Sequence, residues 1–191
     1  RLQRIDAGKL LLTLRGGDAE WLRAELARYV FRAKVQLHVV NDACHAVGMG
    51  AVDKAAPENS RLADIRAGLP EIGVELRDRL LPQWIGLDRL GPVSVNKGCY
   101  PGQEIMARLH FKGGNKRSLY QLRWPGNALA HPGALVRDPG GSEAGVIVTS
   151  AHDAEAGNVE ALASISDSSV GAALTLESSP TSAVGIVQRL A

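Results

Sequence analysis

The chain has 191 residues, of which 45% are hydrophobic and 22% are charged, and its net charge at pH 7 is +2. This composition predicts a globular protein of one large or two smaller domains, with no stretch apolar enough to span a membrane. The weak positive balance carries no direct nucleic-acid signal, because no dense stripe of lysine and arginine is present.

The first predicted elements are a strand at 9–14, a helix after Asp18 and a second strand at 34–39. Asp18 is suited to cap the helix, because its side chain can accept a hydrogen bond from a free backbone N–H group. Residues 34–39 alternate apolar and polar side chains, as a half-buried strand does. The order predicts a β-α-β arrangement at the start of an α+β fold.

Residues 97–104 are the most informative segment and read Lys-Gly-Cys-Tyr-Pro-Gly-Gln-Glu. Pro101 and Gly102 form a turn dipeptide, and the apolar spacing after them predicts a short helix. Cys99 therefore lies just ahead of a helix N-terminus, whose free N–H groups, together with Lys97, favour thiolate over thiol. We predict a reactive or ligand-binding cysteine. The alternative is a buried and inert structural cysteine.

The second half of the chain has the pattern of a small all-β barrel or sandwich. Short alternating runs recur between Gly, Pro, Ser and Asn clusters, at 119–124, 134–137, 146–149, 159–165, 172–176 and 184–187. The stretch between residues 112 and 117 is basic and rich in glycine, and we interpret it as a hinge. The predicted domains are an α+β domain at 1–112 and a C-terminal β-barrel at 113–191.

The two cysteines, Cys44 and Cys99, are far apart in a chain without a secretory leader. Such usage predicts free thiols in a reducing compartment, and we expect a cytoplasmic protein. A zinc centre needs four Cys or His ligands at short spacing, whereas the five histidines are scattered. No metal site is predicted.

Three segments of the chain resemble the YgfZ-type folate-binding proteins, which are relatives of the aminomethyltransferase (T-protein) of the glycine cleavage system. Residues 97–104 match the K-G-C-[YF]-x-G-Q-E signature of that family, and 111–117 and 145–150 are similar to its hinge and to a strand of its barrel. The resemblance implies a T-protein-like folate-binding α/β body followed by a small C-terminal β-barrel. It implies tetrahydrofolate or a derivative as the cofactor, and we expect the N-terminal part of the family fold to be missing from this chain.

The resemblance also implies the site residues. Cys99 would be the functional thiol, and the predicted folate contacts are Lys97, Gly98, Tyr100, Gly102, Gln103, Glu104 and Arg66. Arg66 stands where many relatives carry a glutamate that is assigned to the pterin ring. A guanidinium has no hydrogen-bond acceptor, so the usual contact cannot form there. The alternative for Arg66 is a solvated helix residue.

Two functions follow from the resemblance. The first is a folate-binding accessory protein that maintains or assembles iron–sulfur enzymes, including tRNA-modifying ones, with folate and iron–sulfur client proteins as partners. The second is an enzyme, a tetrahydrofolate-dependent aminomethyltransferase or demethylase of the T-protein type. Cys99 favours the first, because a thiolate is a soft ligand for iron, whereas one-carbon transfer needs a carboxylate and no thiol. A third reading is a degenerate member that is kept as an interaction module.

Overall fold

The computed structural model describes residues 2–12, 14, 18–40, 57–91 and 93–190. The chain divides into two compact units, 1–54 and 55–191. The predicted domain boundary at 112/113 lies inside the second unit and stays a prediction, and Cys44 lies outside the described residues. None of the helices within the described ranges is long and apolar enough to cross a membrane.

The described residues of the first unit form a hairpin and one helix. Strand β1 (Leu2–Arg4) pairs antiparallel with strand β2 (Leu10–Leu12). Helix α1 (Ala19–Ala27) begins after Asp18, whose carboxylate accepts a hydrogen bond from the Trp21 backbone N–H at 3.0 Å. The predicted N-cap is therefore confirmed.

The predicted strand at 34–39 is wrong. Within the described part of this unit, these residues form no ladder with another strand, and the hairpin contains only β1 and β2. Alternating side chains indicate two faces, but a strand also needs partners for its backbone N–H and C=O groups. The observed order in this unit is β-β-α, not β-α-β.

The second unit begins with helices and turns. Helix α2 spans Pro57–Arg66 and helix α3 spans Gln103–Lys112. Between them lie two single-turn 3-10 helices, Val74–Leu76 and Pro82–Ile85. The short elements between α2 and α3 agree with the connecting segment that the sequence predicts at 80–95.

Six antiparallel strands then close into a barrel with the strand order β3-β6-β5-β4-β7-β8. The strands are β3 (Arg117–Pro125), β4 (Leu135–Arg137), β5 (Glu143–Asp153), β6 (Asn158–Ser166), β7 (Leu174–Leu176) and β8 (Ser179–Arg189). Each predicted β run overlaps one of these strands. Closure removes the open edges of the sheet, and it decides the choice between barrel and sandwich in favour of the predicted barrel.

The barrel strands divide their side chains between two apolar clusters. Tyr120, Leu122 and Trp124 of β3 belong to the cluster that fills the barrel, whereas Leu119 belongs to a second cluster. Side chains alternate along a strand, so this second cluster lies on the outer face. It also contains Ile65 of α2, and α2 packs against β5 and β6. Helix α2 therefore covers part of the outer face of the barrel.

A buried carboxylate lies on this outer face. Glu160 of β6 has 0% of its surface exposed. It accepts hydrogen bonds from Arg66 at 3.0 Å, Arg123 at 2.9 Å and Gln121 at 2.7 Å. Arg66 also donates to Asp153 at 2.5 Å. We call these five residues the carboxylate cluster.

The cluster fixes the charge of both its acids. Burial raises the pKa of Glu160, but hydrogen bonds from the two arginines and Gln121 outweigh burial, and the pKa lies below its usual value. The pKa of Asp153 is also lowered, mainly by the backbone N–H of Ala156 and further by Arg66. Both acids are therefore ionised at neutral pH and hold the last residue of α2 against the barrel.

We predict that Glu160→Gln lowers the free energy of unfolding at neutral pH by about 1–3 kcal/mol, because two guanidinium groups lose a charged acceptor. A carboxylate with a depressed folded-state pKa stabilises the protein above its unfolded-state pKa, about 4.3 for glutamate. That stabilisation is lost as the pH falls through the folded-state pKa. The difference between wild type and variant should therefore shrink below about pH 4. Urea unfolding across this pH range measures it.

The matched control is Glu177→Gln, which removes a carboxylate from a more exposed ion pair with Arg137. Exposed pairs contribute about 0–1 kcal/mol, so this variant should remain close to wild type at neutral pH. If the two substitutions lowered the free energy of unfolding equally, the larger contribution expected of the buried Glu160 would be contradicted.

Candidate functional site

Residues 97–104 form a loop, called here the motif loop, that ends in a tight turn at the start of α3. The Gln103 N–H donates to the Tyr100 carbonyl at 3.2 Å, and the Gln103 side-chain carbonyl accepts from the Tyr100 N–H at 3.3 Å. Gly102 has φ 82° and ψ −2°, the backbone of the third residue of a type II turn. Pro101 precedes it, at the position that proline favours. The predicted turn and the helix after it are confirmed.

Cys99 lies in the motif loop, ahead of the helix. It is a free cysteine with an exposed side chain. Exposure agrees with the predicted reactive or ligand-binding cysteine and argues against a buried structural one. The ammonium of Lys97 lies 4.8 Å from the centre of the Tyr100 ring, a cation–π contact between two residues that flank the thiol. The role of Cys99 as the functional thiol stays a prediction.

A cavity of about 250 Å³ lies beside the motif loop. Its lining combines apolar side chains with one ammonium group and includes Leu81, Pro82, Ile105, Met106, Tyr100 and Lys97. The hydroxyl oxygen of Tyr100 is buried and has no hydrogen-bond partner among the described residues. A buried hydroxyl is costly to leave unpaired. This hydroxyl is therefore an unsatisfied polar group within the motif loop.

The other predicted site residues of the motif have distinct surroundings. Open space lies where a Cβ at Gly98 would be. Gln103 is engaged in the turn, and Glu104 is exposed in the first turn of α3, where free N–H groups favour a carboxylate. Arg66 instead belongs to the carboxylate cluster, with its guanidinium on Asp153 and Glu160. The folate contacts of all these residues stay predictions.

Sequence reasoning missed the part of the cavity lining that lies outside the motif loop and α3. Leu81, Pro82 and Val93 line it, and they lie in the segment 80–95, for which the sequence predicts only a connection. The apolar residues among its Pro and Gly breakers are the available signal, since a solvated loop is usually more polar. The segment has no period, however, so the sequence does not tell which side chains turn towards the motif loop.

The chain is similar to proteins named tRNA-modifying protein YgfZ. With the one from Cronobacter sakazakii (strain ATCC BAA-894) it is 44% identical over 70 residues, 37% of this chain and 21% of the relative. With the one from Edwardsiella ictaluri (strain 93-146) it is 36% identical over 132 residues, 65% of this chain and 40% of the relative. With the one from Buchnera aphidicola subsp. Schizaphis graminum (strain Sg) it is 45% identical over 75 residues, 39% and 24% respectively.

The chain spans 40% or less of the length of these relatives. No family model matches the chain.

We predict that Gly102→Ala and Gly98→Ala differ in their effect on stability. At Gly102 a Cβ meets open space, but the left-handed φ strains any L side chain by about 1–2 kcal/mol. Gly98 has open space and no left-handed φ, so alanine there should change the free energy of unfolding by about 0.5 kcal/mol or less. Thermal unfolding of the two variants compares them directly. Equal losses of stability in the two variants would contradict the left-handed turn geometry at Gly102.

We also predict that Gln103→Ala lowers the free energy of unfolding by about 0.5–1.5 kcal/mol, because it removes the side-chain acceptor of the turn. It should slow the alkylation of Cys99 by iodoacetamide, since the turn holds the thiol ahead of the helix N-terminus. Glu104→Gln should lower stability less, by about 0.3–1 kcal/mol, because it removes only a favourable charge near the helix start. If Gln103→Ala lowers stability but the alkylation rate of Cys99 stays at the wild-type value, the turn does not control the reactivity of the thiol.

Proposed function

We propose that this chain, which is similar to proteins named YgfZ, is a folate-binding accessory protein for iron–sulfur enzymes, including tRNA-modifying ones. It would act in the maintenance or assembly of those enzymes through Cys99. In this proposal residues 1–112 belong to a T-protein-like folate-binding body and residues 113–191 form its C-terminal barrel domain. Folate and iron–sulfur client proteins are the proposed partners of the whole protein.

The observation that carries the proposal is an exposed thiol beside an apolar cavity. Cys99 lies between Lys97 and Tyr100 in the motif loop, and both of these residues line the cavity. A thiolate is a soft ligand that suits iron. A cluster normally takes four thiolates, so one cysteine cannot hold it alone. We therefore infer that Cys99 acts together with ligands that a client protein supplies.

The size of the cavity supports the binding of part of a reduced folate. Pockets of about 300–1,000 Å³ bury most of a drug-sized ligand, so a cavity of about 250 Å³ is suited to a ring portion of the molecule. The aromatic ring of Tyr100 and the aliphatic walls would supply apolar contact, and Ser94 and the Lys97 ammonium would supply polar contacts. When bound, tetrahydrofolate supplies a carrier of one-carbon units.

We predict that Cys99→Ser leaves folate affinity nearly unchanged, because the proposed contacts come from neighbouring side chains. Tetrahydrofolate at about 100 times its dissociation constant should raise the unfolding free energy of both proteins by about 2.7 kcal/mol. In cells that lack the protein, the serine variant should fail to restore iron–sulfur enzyme activity, since a serine hydroxyl stays protonated and is a poor soft-metal ligand.

The control is Cys44→Ser, which removes the other cysteine of the chain and should restore activity like wild type. Full rescue by Cys99→Ser would end the thiol-based proposal. Transfer of a one-carbon unit from an aminomethyl donor to tetrahydrofolate, equally fast in wild type and Cys99→Ser, would identify a transferase instead. Absence of any thermal shift with tetrahydrofolate would favour the interaction module.

A further inference from the structure

The end of α3 and the segment after it carry three cations that have no ion-pair partner among the described residues. Arg108, Lys112 and Lys116 are exposed, and none of them forms an ion pair within the described part of the chain. The second unit otherwise pairs many of its arginines with carboxylates, namely Arg61, Arg66, Arg117, Arg123, Arg137 and Arg189. The three unpaired cations therefore form a local excess of positive charge.

An exposed aromatic ring lies on α3 beside two of these cations. Phe111 has 71% of its surface exposed. Residues three and four apart share a helix face, so Phe111 and Lys112 lie on the face of α3 that also carries Arg108. The ring of His110, which is also exposed, contacts Phe111 edge-on with 4.9 Å between centroids. We call Arg108, His110, Phe111, Lys112 and Lys116 the basic–aromatic surface.

The acids around this surface leave its charge uncompensated. Glu104, one turn towards the start of α3, forms no ion pair with Arg108 among the described contacts. Asp167 donates its backbone N–H to the Lys116 carbonyl, but its carboxylate is engaged by Arg189 at 3.8 Å and by the Tyr120 hydroxyl at 3.1 Å. A polyanion is therefore the complementary partner.

The helix dipole explains only part of the surface. Cations near a helix C-terminus are favoured by the partial negative charge of the last carbonyls, which accounts for His110 and Lys112. It does not account for Lys116, which lies beyond the end of α3. It also gives no reason for an exposed phenyl ring at Phe111, since an apolar ring gains nothing from the dipole.

We propose that the basic–aromatic surface binds single-stranded RNA. The guanidinium and ammonium groups would contact phosphates, and the Phe111 ring would stack on a base. Cations combined with an exposed aromatic ring are the combination that proteins use for single strands, because every base offers a face for stacking. The choice of RNA over another polyanion rests on the proposed function, since the relatives are named tRNA-modifying proteins.

The test is the binding of a fluorescein-labelled single-stranded RNA of about 12 nucleotides, followed by fluorescence anisotropy at several salt concentrations. Three contacted phosphates predict a slope of log K against log salt of about −2, at about −0.7 for each phosphate. Lys112→Ala and Lys116→Ala should each reduce that slope by about 0.7. Phe111→Ala should weaken binding about 5- to 100-fold and leave the slope unchanged, because stacking releases no counterions.

Matched controls lie in the first unit. Phe31→Ala removes a ring that is 84% exposed, and Lys34→Ala removes an exposed cation, so each makes the same chemical change elsewhere. Both should bind the RNA like wild type. Equal weakening by Phe31→Ala and Phe111→Ala would overturn the proposed surface.

A polyglutamate peptide tests the competing polyanion. The RNA proposal is overturned if two results are found together. The peptide displaces the RNA when both are supplied at the same concentration of charges, and Phe111→Ala binds RNA like wild type, so that the surface recognises charge alone. The tetrahydrofolate thermal shift of Phe111→Ala should equal that of wild type. If the wild-type protein shows the tetrahydrofolate thermal shift but does not bind RNA, this inference alone is refuted. If the wild-type protein shows no tetrahydrofolate shift, the result counts against the proposed function.

Discussion

The carboxylate of Glu160 has no exposed surface and lies on the outer face of the barrel. Its pairing with an arginine positions helix α2, which precedes the motif loop. A buried charge is costly unless it is paired and hydrogen-bonded. Glu160 therefore needs the guanidinium of Arg66, which lies 94 positions earlier in the chain, and the end of α2 is fixed where that guanidinium reaches the acid. The bonds to Glu160 and Asp153 use Nε and Nη2 of Arg66, so Nη1 is the nitrogen of this guanidinium that remains for a pterin. The same constraint thus bears on which residues are available to a ligand.

The motif loop is held by a second and more local set of contacts. The start of α3 is closed by the turn between Tyr100 and Gln103, and its second turn is held by Gln83, whose side-chain amide donates to the Met106 carbonyl at 3.3 Å. Gln83 belongs to the 3-10 helix Pro82–Ile85, and Pro82 lines the cavity. One segment therefore both anchors the motif helix and forms a wall of the cavity. An exposed thiol on such a support can react without a large loss of order.

Local features could be predicted from the sequence, and distant pairings could not. The cap at Asp18, the turn at Gly102 and the barrel strands depend on neighbouring residues or on a simple period, and the structure contains them. The partners of Arg66 lie 87 and 94 positions away, beyond any local pattern. The strand predicted at 34–39 failed for the same reason, because a ladder needs a partner that the alternation does not supply. The motif residues followed from the family resemblance, whereas the cavity lining contributed by residues 81–93 required coordinates.

The net charge of the chain does not show how its ion pairs are distributed. The chain has a net charge of only +2, which is too weak to indicate a polyanion site from composition. In the second unit, however, many carboxylates pair with arginines, while the cations at the end of α3 have no acid to pair with among the described residues. The ten residues of α3 span roughly 15 Å, at about 1.5 Å per residue. The motif loop with Cys99 precedes one end of this helix, and the basic–aromatic surface covers the other. On the two proposals above, the thiol and an RNA strand would therefore be engaged at opposite ends of one short helix.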